Sequence, residues 1–364
     1  ASEDVAVVVE TKRTDIKALN TYSGIVPEGT TPDVGWGQTG STIYVPWIRH
    51  NHFGKTTRLY IFNAGAETAN VEITVYRQNG TSYSPVSSDI ASHGQWSYRT
   101  ENISAGTAGS AVIESTNGQP LAVLEAEEVH ADWTNVAQLS NAYSSGGTTL
   151  YAPFVKYEED PETHEVINFT HLRVQNLGAG GTITAYYWAS QGECGSDTEL
   201  THYIFQWASK VFASQQLGQT CFKGSATVTG GTRPLTMFVN ETTYRGSSGF
   251  LPANGTSTVV LPRVPWDCDD LRAAVRVQNI GTAGDWVRLS YYRPDGSYAG
   301  DYWKWVEVNE SQSFWNTAPQ GGVCYSAVAK SYYGRPIVAA VNLRYKWLNE
   351  SYEQYTGNYN GFNR

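Results

Sequence analysis

The chain has 364 residues, of which only 16% are charged, and its 25 basic and 34 acidic side chains give a net charge of -9. Lysine and arginine form no cluster along the sequence, so we expect no nucleic-acid partner, because phosphate binding needs a concentrated positive surface. No stretch approaches the roughly 18 to 20 consecutive apolar residues of a membrane-spanning helix, which predicts a soluble chain without a membrane span.

The first predicted element is an apolar strand at the N-terminus. It comprises Asp4, Val5, Ala6, Val7, Val8 and Val9. Left in water, such a β-prone segment would template aggregation, so it must pair with another strand. One alternative is an extra edge strand on the first domain. The other, which we favour, is a donor strand that completes a sheet in a neighbouring molecule and joins copies head to tail.

Three repeats follow, each built from the same succession of strands. Each opens with a strand that contains a proline, namely Pro46, Pro153 and Pro262. The next strand ends in Asn-x-Gly, at Asn63, Asn176 and Asn279. Asparagine and glycine tolerate positive φ, so this motif predicts a turn. An alternating, tyrosine-containing strand comes third.

Each repeat closes with two apolar runs separated by a glycine-containing turn, which predicts a β-hairpin. The outgoing runs are residues 119–125, 233–239 and 335–341. The N-terminal strand resembles these outgoing runs, so the sequence holds four copies of this strand and three of every other element. Residues 200–212 show the apolar spacing of a helix, but their position in the repeat predicts strands, which we adopt.

The order of these motifs resembles the immunoglobulin-like repeats of bacterial secreted and cell-surface proteins. The resemblance implies an all-β chain of three tandem immunoglobulin-like β-sandwich domains with a surplus N-terminal strand. It also implies a spacer, adhesive or filament-forming role without catalytic residues. We place the extra strand and linker at residues 1–24 and the domains at 25–146, 147–256 and 257–364. Short connections between domains predict a semi-rigid rod.

The four cysteines fall two to a repeat, in the second and third repeats. We pair Cys194 with Cys221 and Cys268 with Cys324. Each disulfide would contribute about 3 to 4 kcal/mol in the chain-entropy model, and an oxidising compartment fits best. Free thiols are the alternative, whereas structural zinc needs closer ligand spacing. The chain begins at Ala1 rather than methionine, which we interpret as the end left by signal-peptide removal.

Acidic clusters are the candidate metal sites. They are Glu125, Glu127, Glu128, His130 and Asp132; Glu158, Glu159, Asp160, Glu162, His164 and Glu165; and Asp267, Asp269 and Asp270. Calcium at a domain boundary would stiffen a rod, but no cluster has the EF-hand pattern, so we predict no cofactor and keep calcium as the alternative. His50 and His52 lack a third ligand. No catalytic motif is present, so we predict no enzyme.

Aromatic residues suggest a second class of function, because exposed rings stack on sugars. The tryptophans concerned are Trp47, Trp96, Trp133, Trp188, Trp207, Trp303, Trp305 and Trp315. Seven sequons, at Asn79, Asn102, Asn168, Asn240, Asn254, Asn309 and Asn349, predict surface glycosylation. We therefore predict a secreted surface protein that is the structural subunit of a homopolymeric filament or surface layer. A carbohydrate-binding adhesin that contacts surface glycans is the alternative.

Overall fold

A computed structural model describes residues 8–13, 18–23, 39–129, 132–241, 245–248, 255–315, 317–345, 358–360 and 362–363. This part of the chain is all-β, as predicted, with one short 3-10 turn at Ser214–Leu217 and no α-helix. It contains no helix that would cross a lipid bilayer.

The strands fall into an N-terminal pair and three units that follow the repeats. The N-terminal pair is β1 (Val8–Arg13) and β2 (Ala18–Ser23). Unit 1 contains β3 (Thr42–His50), β4 (Lys55–Asn63), β5 (Ala69–Arg77), β6 (Val86–Ile90), β7 (Gln95–Arg99), β8 (Thr107–Ser115), β9 (Leu121–Val129) and β10 (Asp132–Asn141).

Units 2 and 3 repeat this succession. Unit 2 contains β11 (Thr149–Glu159), β12 (Val166–Asn176), β13 (Gly181–Ala189), β14 (Thr198–Ile204), β15 (Ser209–Ala213), β16 (Cys221–Thr229), β17 (Leu235–Glu241) and β18 (Arg245–Ser248). Unit 3 contains β19 (Thr258–Cys268), β20 (Leu271–Asn279), β21 (Asp285–Tyr292), β22 (Tyr298–Val306), β23 (Ser311–Phe314), β24 (Val323–Ser331), β25 (Ile337–Tyr345), β26 (Asn358–Asn360) and β27 (Phe362–Asn363). The ambiguous stretch 200–212 therefore forms parts of two strands joined by a turn at 205–208, rather than a helix.

The sheets of the three units share one order. In unit 1 the orders are β3-β8-β5-β6 and β10-β9-β4-β7. In unit 2 the equivalent strands form one curled sheet, because β11 pairs with both β16 and β12; β19 does the same with β24 and β20 in unit 3. Each unit encloses its own cluster of buried apolar side chains.

The predicted closing hairpins are wrong. The incoming strand β8 pairs with β3 and β5, whereas the outgoing strand β9 pairs with β4 and β10, so the two strands lie in different sheets. In units 2 and 3 the equivalent strands belong to the one curled sheet but are not neighbours in it, so they form no hairpin either. The turn is held to the first sheet, since Asn117 accepts from the Asn70 amide at 3.0 Å and donates to the Thr68 carbonyl at 2.7 Å. Both runs are apolar because each lines the space between sheets.

Proline and asparagine set the local geometry of the repeats. Pro46, Pro153 and Pro262 each lie where the pairing register of the first strand shifts, as expected of a residue that cannot donate to the ladder. The asparagine of each Asn-x-Gly motif accepts from the glycine amide with its side chain, at 2.9 to 3.0 Å. This Asx turn fixes the end of the second strand.

The N-terminal strand pairs within the chain in the part that is described. Val8 and Val9 of β1 lie opposite Ser23 and Tyr22 of β2. Residues 4–7 lie outside the described residues. Strand β2 contacts β10 of unit 1 and β26 of unit 3.

Candidate functional site

Two junctions hold the three units together, and both use the same two surfaces. We call the outer face of the Asn-x-Gly strand the head surface of a unit. We call the outer face formed by the proline strand and the Ser-Ala strand the tail surface. The head surface of unit 2 packs on the tail surface of unit 1, and the head surface of unit 3 packs on the tail surface of unit 2.

An arginine of each head surface lies on an aromatic ring of the preceding tail surface. Arg173 lies 4.6 Å from the ring centre of Trp47, and Arg276 lies 4.8 Å from that of Phe154. Both rings belong to the residue that follows the proline, where the register shift turns the side chain outward. Such cation–π contacts strengthen when water is excluded, and both arginines are buried.

A glutamine and a serine complete each junction through backbone carbonyls. Gln175 donates to the Ala111 and Trp207 carbonyls at 3.2 and 3.1 Å, and Ser110 donates to the same Trp207 carbonyl at 2.6 Å. In the second junction, Gln278 and Ser225 repeat this pattern on the Asn309 carbonyl. The side-chain amide and the hydroxyl thus satisfy carbonyls that the junction removes from water.

Apolar contacts surround these polar groups. Phe238 of unit 2 belongs to the buried cluster of unit 1, and Trp207 stacks on Tyr44 with ring centres 5.9 Å apart. In the second junction, Val338 and Ala340 of unit 3 pack against Tyr151 of unit 2. The units therefore associate through interfaces that resemble protein interiors.

Charge distinguishes the first junction. Glu127 of unit 1 pairs with Arg49 of its own unit and with Arg173 of unit 2, the latter at 2.8 Å. Burial opposes ionisation of Glu127, but the two guanidinium groups outweigh burial and lower its pKa. Burial, reinforced by Glu127, raises the pKa of Glu125 well above its usual value. Within the described residues the Glu125 carboxyl has no hydrogen-bond partner.

Two further titratable groups adjoin this cluster. Burial lowers the pKa of Lys55 to about 8, and burial followed by the nearby Arg173 lowers the pKa of His171 to about 4. His171 contacts Gln215 at 3.1 Å. In the second junction the arginine has hydroxyl partners instead of a carboxylate. Arg276 donates to the hydroxyl groups of Ser190 and Ser311, at 3.2 Å each.

Arginine pairs with part of two of the acidic clusters that suggested calcium. In the third, residues 158–165, Glu158 accepts from Asn168 at 3.2 Å and Glu159 lies 3.9 Å from His164. Glu128 pairs with Arg58 and Arg99 at 2.6 and 2.9 Å, and Arg263 and Arg272 pair with Asp269 and Asp267. Among the described residues the one group with metal-ligand spacing is Cys268, Asp269 and Cys324. Its two sulfurs are bonded to each other, so they do not act as ligands.

A separate candidate site lies on the outer face of β21 and β22 in unit 3. We call Trp286, Trp303, Trp305 and Tyr332 the aromatic face. Trp286 lies opposite Trp305 with ring centres 5.8 Å apart, and Trp303 contacts Tyr332 at 6.0 Å. Arg288 lies 5.5 Å from the Trp303 ring centre. Trp286 and Trp303 are each 44% exposed, so flat rings and a cation face solvent together.

The other two units carry different residues on this face. The positions of the Trp286–Trp305 pair hold Thr182 and Tyr203 in unit 2, and Asn70 and Asp89 in unit 1. Sequence analysis found Trp303 and Trp305 but missed Trp286 and Tyr332. The alternation of Trp286 and Arg288 along one strand was the available signal.

The remaining predicted tryptophans have structural contacts. Trp47 and Trp207 belong to the first junction, and Trp315 packs against Trp266 at 5.4 Å. Trp96 packs against the unit 1 core, and Trp188 stacks on Tyr186. The side chain of Trp133 lies outside the described residues. These rings therefore do not form one array.

Both predicted cysteine pairs lie at disulfide distance, with Cα atoms 5.8 Å apart for Cys194–Cys221 and 5.3 Å apart for Cys268–Cys324. Neither pair crosses a junction. The disulfides therefore brace units 2 and 3 internally and leave the association of units to noncovalent contacts.

The predicted glycosylation sites differ in accessibility. Asn79 and Asn102 are exposed, and Asn309 is partly buried at the second junction. Asn168 and Asn240 are only 8% and 3% exposed on strands β12 and β17. Neighbouring strands cover these two asparagines, and glycosylation of the sequons stays a prediction. Asn254 and Asn349 lie outside the described residues.

A comparison with known protein families finds no family model that matches the chain. A comparison with curated proteins finds no significant match either.

Proposed function

We propose that the protein is a structural subunit of an extracellular filament or surface layer. In this proposal each unit is an immunoglobulin-like sandwich, and the units form a stiff rod because broad faces meet at each junction. The observation that carries it is the recurrence of one junction, with the same arginine-on-aromatic stack and the same glutamine and serine hydrogen bonds. A chain that stacks its own units this way is suited to carry load along the stack. The two cysteine pairs support an oxidising compartment outside the cytoplasm.

Joining of copies by the N-terminal strand is a second element of this proposal. Residues 4–9 would add to a sheet of a neighbouring molecule, while Val8 and Val9 pair with β2 in the single chain. Deletion of residues 1–12 tests it: assembly should be lost. Assembly that survives the deletion would remove strand addition and leave the structural role standing.

Electron microscopy of the native material tests the structural role itself. We expect elongated or layered assemblies with a repeat set by the stacked units. Dispersed single molecules at all native concentrations would contradict it.

We propose carbohydrate binding as a second candidate function, on the strength of the aromatic face. Exposed aromatic rings beside the Arg288 cation suit the apolar faces and hydroxyl groups of a carbohydrate, and the paired rings meet edge to face at 70° and 67°. Polysaccharide affinity electrophoresis tests this. Trp303→Ala and Trp286→Ala should abolish retardation, whereas Tyr203→Ala, an exposed aromatic control on unit 2, should not. Equal mobility of all four proteins would reject the proposal.

A further inference from the structure

We propose that the head surface of unit 1 docks on the tail surface of unit 3 of a second copy, through the same contacts as the internal junctions. This inference rests on the proposed structural function and names its partner and its surfaces. It also specifies which residues meet across the contact.

The residue types at the stacking positions differ between the internal junctions and the two outer surfaces, which are the head of unit 1 and the tail of unit 3. Trp47, Phe154 and Arg263 each follow the proline of their repeat. Tyr60, Arg173 and Arg276 each stand three residues before the asparagine of the Asn-x-Gly motif. Internal junctions therefore place a head arginine on a tail aromatic ring. At the two ends of the chain the residue types are exchanged, with a head tyrosine and a tail arginine.

A contact between copies would consequently restore the pair in reverse order, with Arg263 on the ring of Tyr60. Arg263 already pairs with Asp269 at 2.9 Å, and this ion pair does not preclude stacking. Arg173 shows that one guanidinium group can form an ion pair and a ring contact together, because it pairs with Glu127 and lies on Trp47. Because both residue types change together, the tail of unit 3 and the head of unit 1 stay complementary to each other.

The carbonyl acceptors of the internal junctions also have a counterpart on unit 1. The carbonyls of Trp207 and Asn309 accept from serines of the preceding unit, and both residues have a left-handed φ of 63°. His93 occupies the equivalent place in unit 1, with a φ of 57°, and is exposed. Its carbonyl is thus presented in the same backbone conformation as the two acceptors.

The matching donor stands on unit 3. Ser110 and Ser225 are fully buried by the internal junctions, whereas Ser326 at the equivalent position is only partly buried. Docking would bring the Ser326 hydroxyl to the His93 carbonyl. Both halves of this bond are present on the chain, at opposite ends of the three units.

An exposed apolar side chain lies at the centre of the head surface of unit 1. Gln175 and Gln278 are fully buried, but unit 1 carries Phe62 at this position, and Phe62 is 40% exposed. It lies opposite Ala122 and beside Leu124. A second copy would cover Phe62 with the backbone at Ala327, because Ala111 and Ala226 likewise contribute their carbonyls to the internal junctions. Head and tail differ, so the contact is heterologous and continues from copy to copy.

A reversal of the stacking pair tests the contact. Tyr60→Arg places two arginines opposite each other and should raise the critical concentration for assembly about tenfold or more. The double variant Tyr60→Arg/Arg263→Trp re-creates the internal arrangement and should restore assembly. Tyr333→Arg, at an exposed tyrosine away from both surfaces, is the matched control. Thermal melting verifies that each variant is folded, and arginine is the native residue at this position in units 2 and 3.

Cysteine cross-linking gives an independent measurement. All four native cysteines are paired, so His93→Cys and Ser326→Cys each introduce one thiol. A short bis-maleimide should link a mixture of the two single variants into dimers and neither variant alone. A chain that carries both substitutions should give a ladder. Dimers from either single variant alone would overturn the head-to-tail contact.

The outcomes separate this inference from the proposed function. If the wild-type protein assembles and Tyr60→Arg assembles equally well, the contact is rejected and the structural role stands. If the wild-type protein forms no assemblies but the mixed cysteine variants cross-link, the contact stands and the filament does not. If neither assembly nor mixed cross-linking occurs, both are rejected.

Discussion

The two junctions share an arginine that lies on an aromatic ring, but the polar partners of that arginine differ. Each buries a head arginine on a tail aromatic ring, but Arg173 also meets a buried carboxylate, Glu127, whereas Arg276 meets the hydroxyls of Ser190 and Ser311. The stack and the glutamine and serine hydrogen bonds are common to both. We conclude that these shared contacts define the junction, and that the buried ion pair is an addition particular to the first.

The largest effect is expected at the buried carboxylate. Glu127→Gln leaves Arg49 and Arg173 buried without a negative partner and should lower the free energy of unfolding by about 3 to 5 kcal/mol. Glu128→Gln is the matched control, because its arginine partners are partly exposed, and should cost about 1 kcal/mol. Urea denaturation followed by tryptophan fluorescence measures both. Equal losses of stability for the two variants would show that the buried Glu127 pair contributes no more than the partly exposed Glu128 pair, and would contradict this prediction.

The two arginines should respond differently to an apolar replacement. Arg173→Met removes one of the two partners of Glu127 and should cost about 2 kcal/mol or more. Arg276→Met leaves Ser190 and Ser311, which lie 3.4 Å apart and bond to each other, so the change should stay within about 1 kcal/mol of wild type. Denaturation of the two variants in parallel checks this. A larger loss for Arg276→Met would reverse our ranking of the junctions.

The shared glutamines should behave alike. Gln175→Ala and Gln278→Ala each remove a donor from two buried carbonyls, although the Trp207 and Asn309 carbonyls keep their serine donors. Each change should cost about 1 to 2 kcal/mol. Phe62→Ala in unit 1 is the control and should cost less in the single chain, because Phe62 is partly exposed. Amide hydrogen exchange across β8 and β16 would localise the loss. A loss of stability in only one of the two glutamine variants would contradict the claim that both junctions use the same hydrogen bonds.

The smallest expected effect is a pH dependence confined to the first junction. The pKa of His171 is lowered to about 4 in the folded chain, from about 6.5 when unfolded. The unfolded state therefore binds the extra proton between these values, and the stability contributed by neutral His171 falls as the pH drops from 6.5 towards 4.

Comparison with His171→Gln isolates this effect from the other groups nearby, including Glu125, Glu127, Arg49 and Arg173. The wild-type protein should lose roughly 1 to 2 kcal/mol relative to the variant between pH 7 and pH 5. Unit 3 carries Ala274 at the equivalent position. Parallel stability curves for the two proteins would show that folding leaves the pKa of His171 unchanged and would contradict this prediction.

Sequence patterns predicted the strands well because alternation and Asn-x-Gly turns are local signals. The closing hairpins were wrong because a glycine turn between apolar runs fits a change of sheet as well as a hairpin. The junctions were not predicted, since Arg173 meets Glu127 and Ser110 meets Trp207 across units. One signal was available in the sequence. Strands β12 and β20 share the motif Arg-Val-Gln-Asn, which β4 lacks, and this motif distinguishes the head surfaces of units 2 and 3 from that of unit 1.

Cryo-electron microscopy of native assemblies tests the central claim most directly, because it would display the contact between successive copies. We predict that unit 3 of one copy and unit 1 of the next are packed as units 1 and 2 are, with Arg263 on Tyr60 and Ser326 at the His93 carbonyl. Assemblies in which these two surfaces face solvent, or native material that contains only single molecules, would contradict the account.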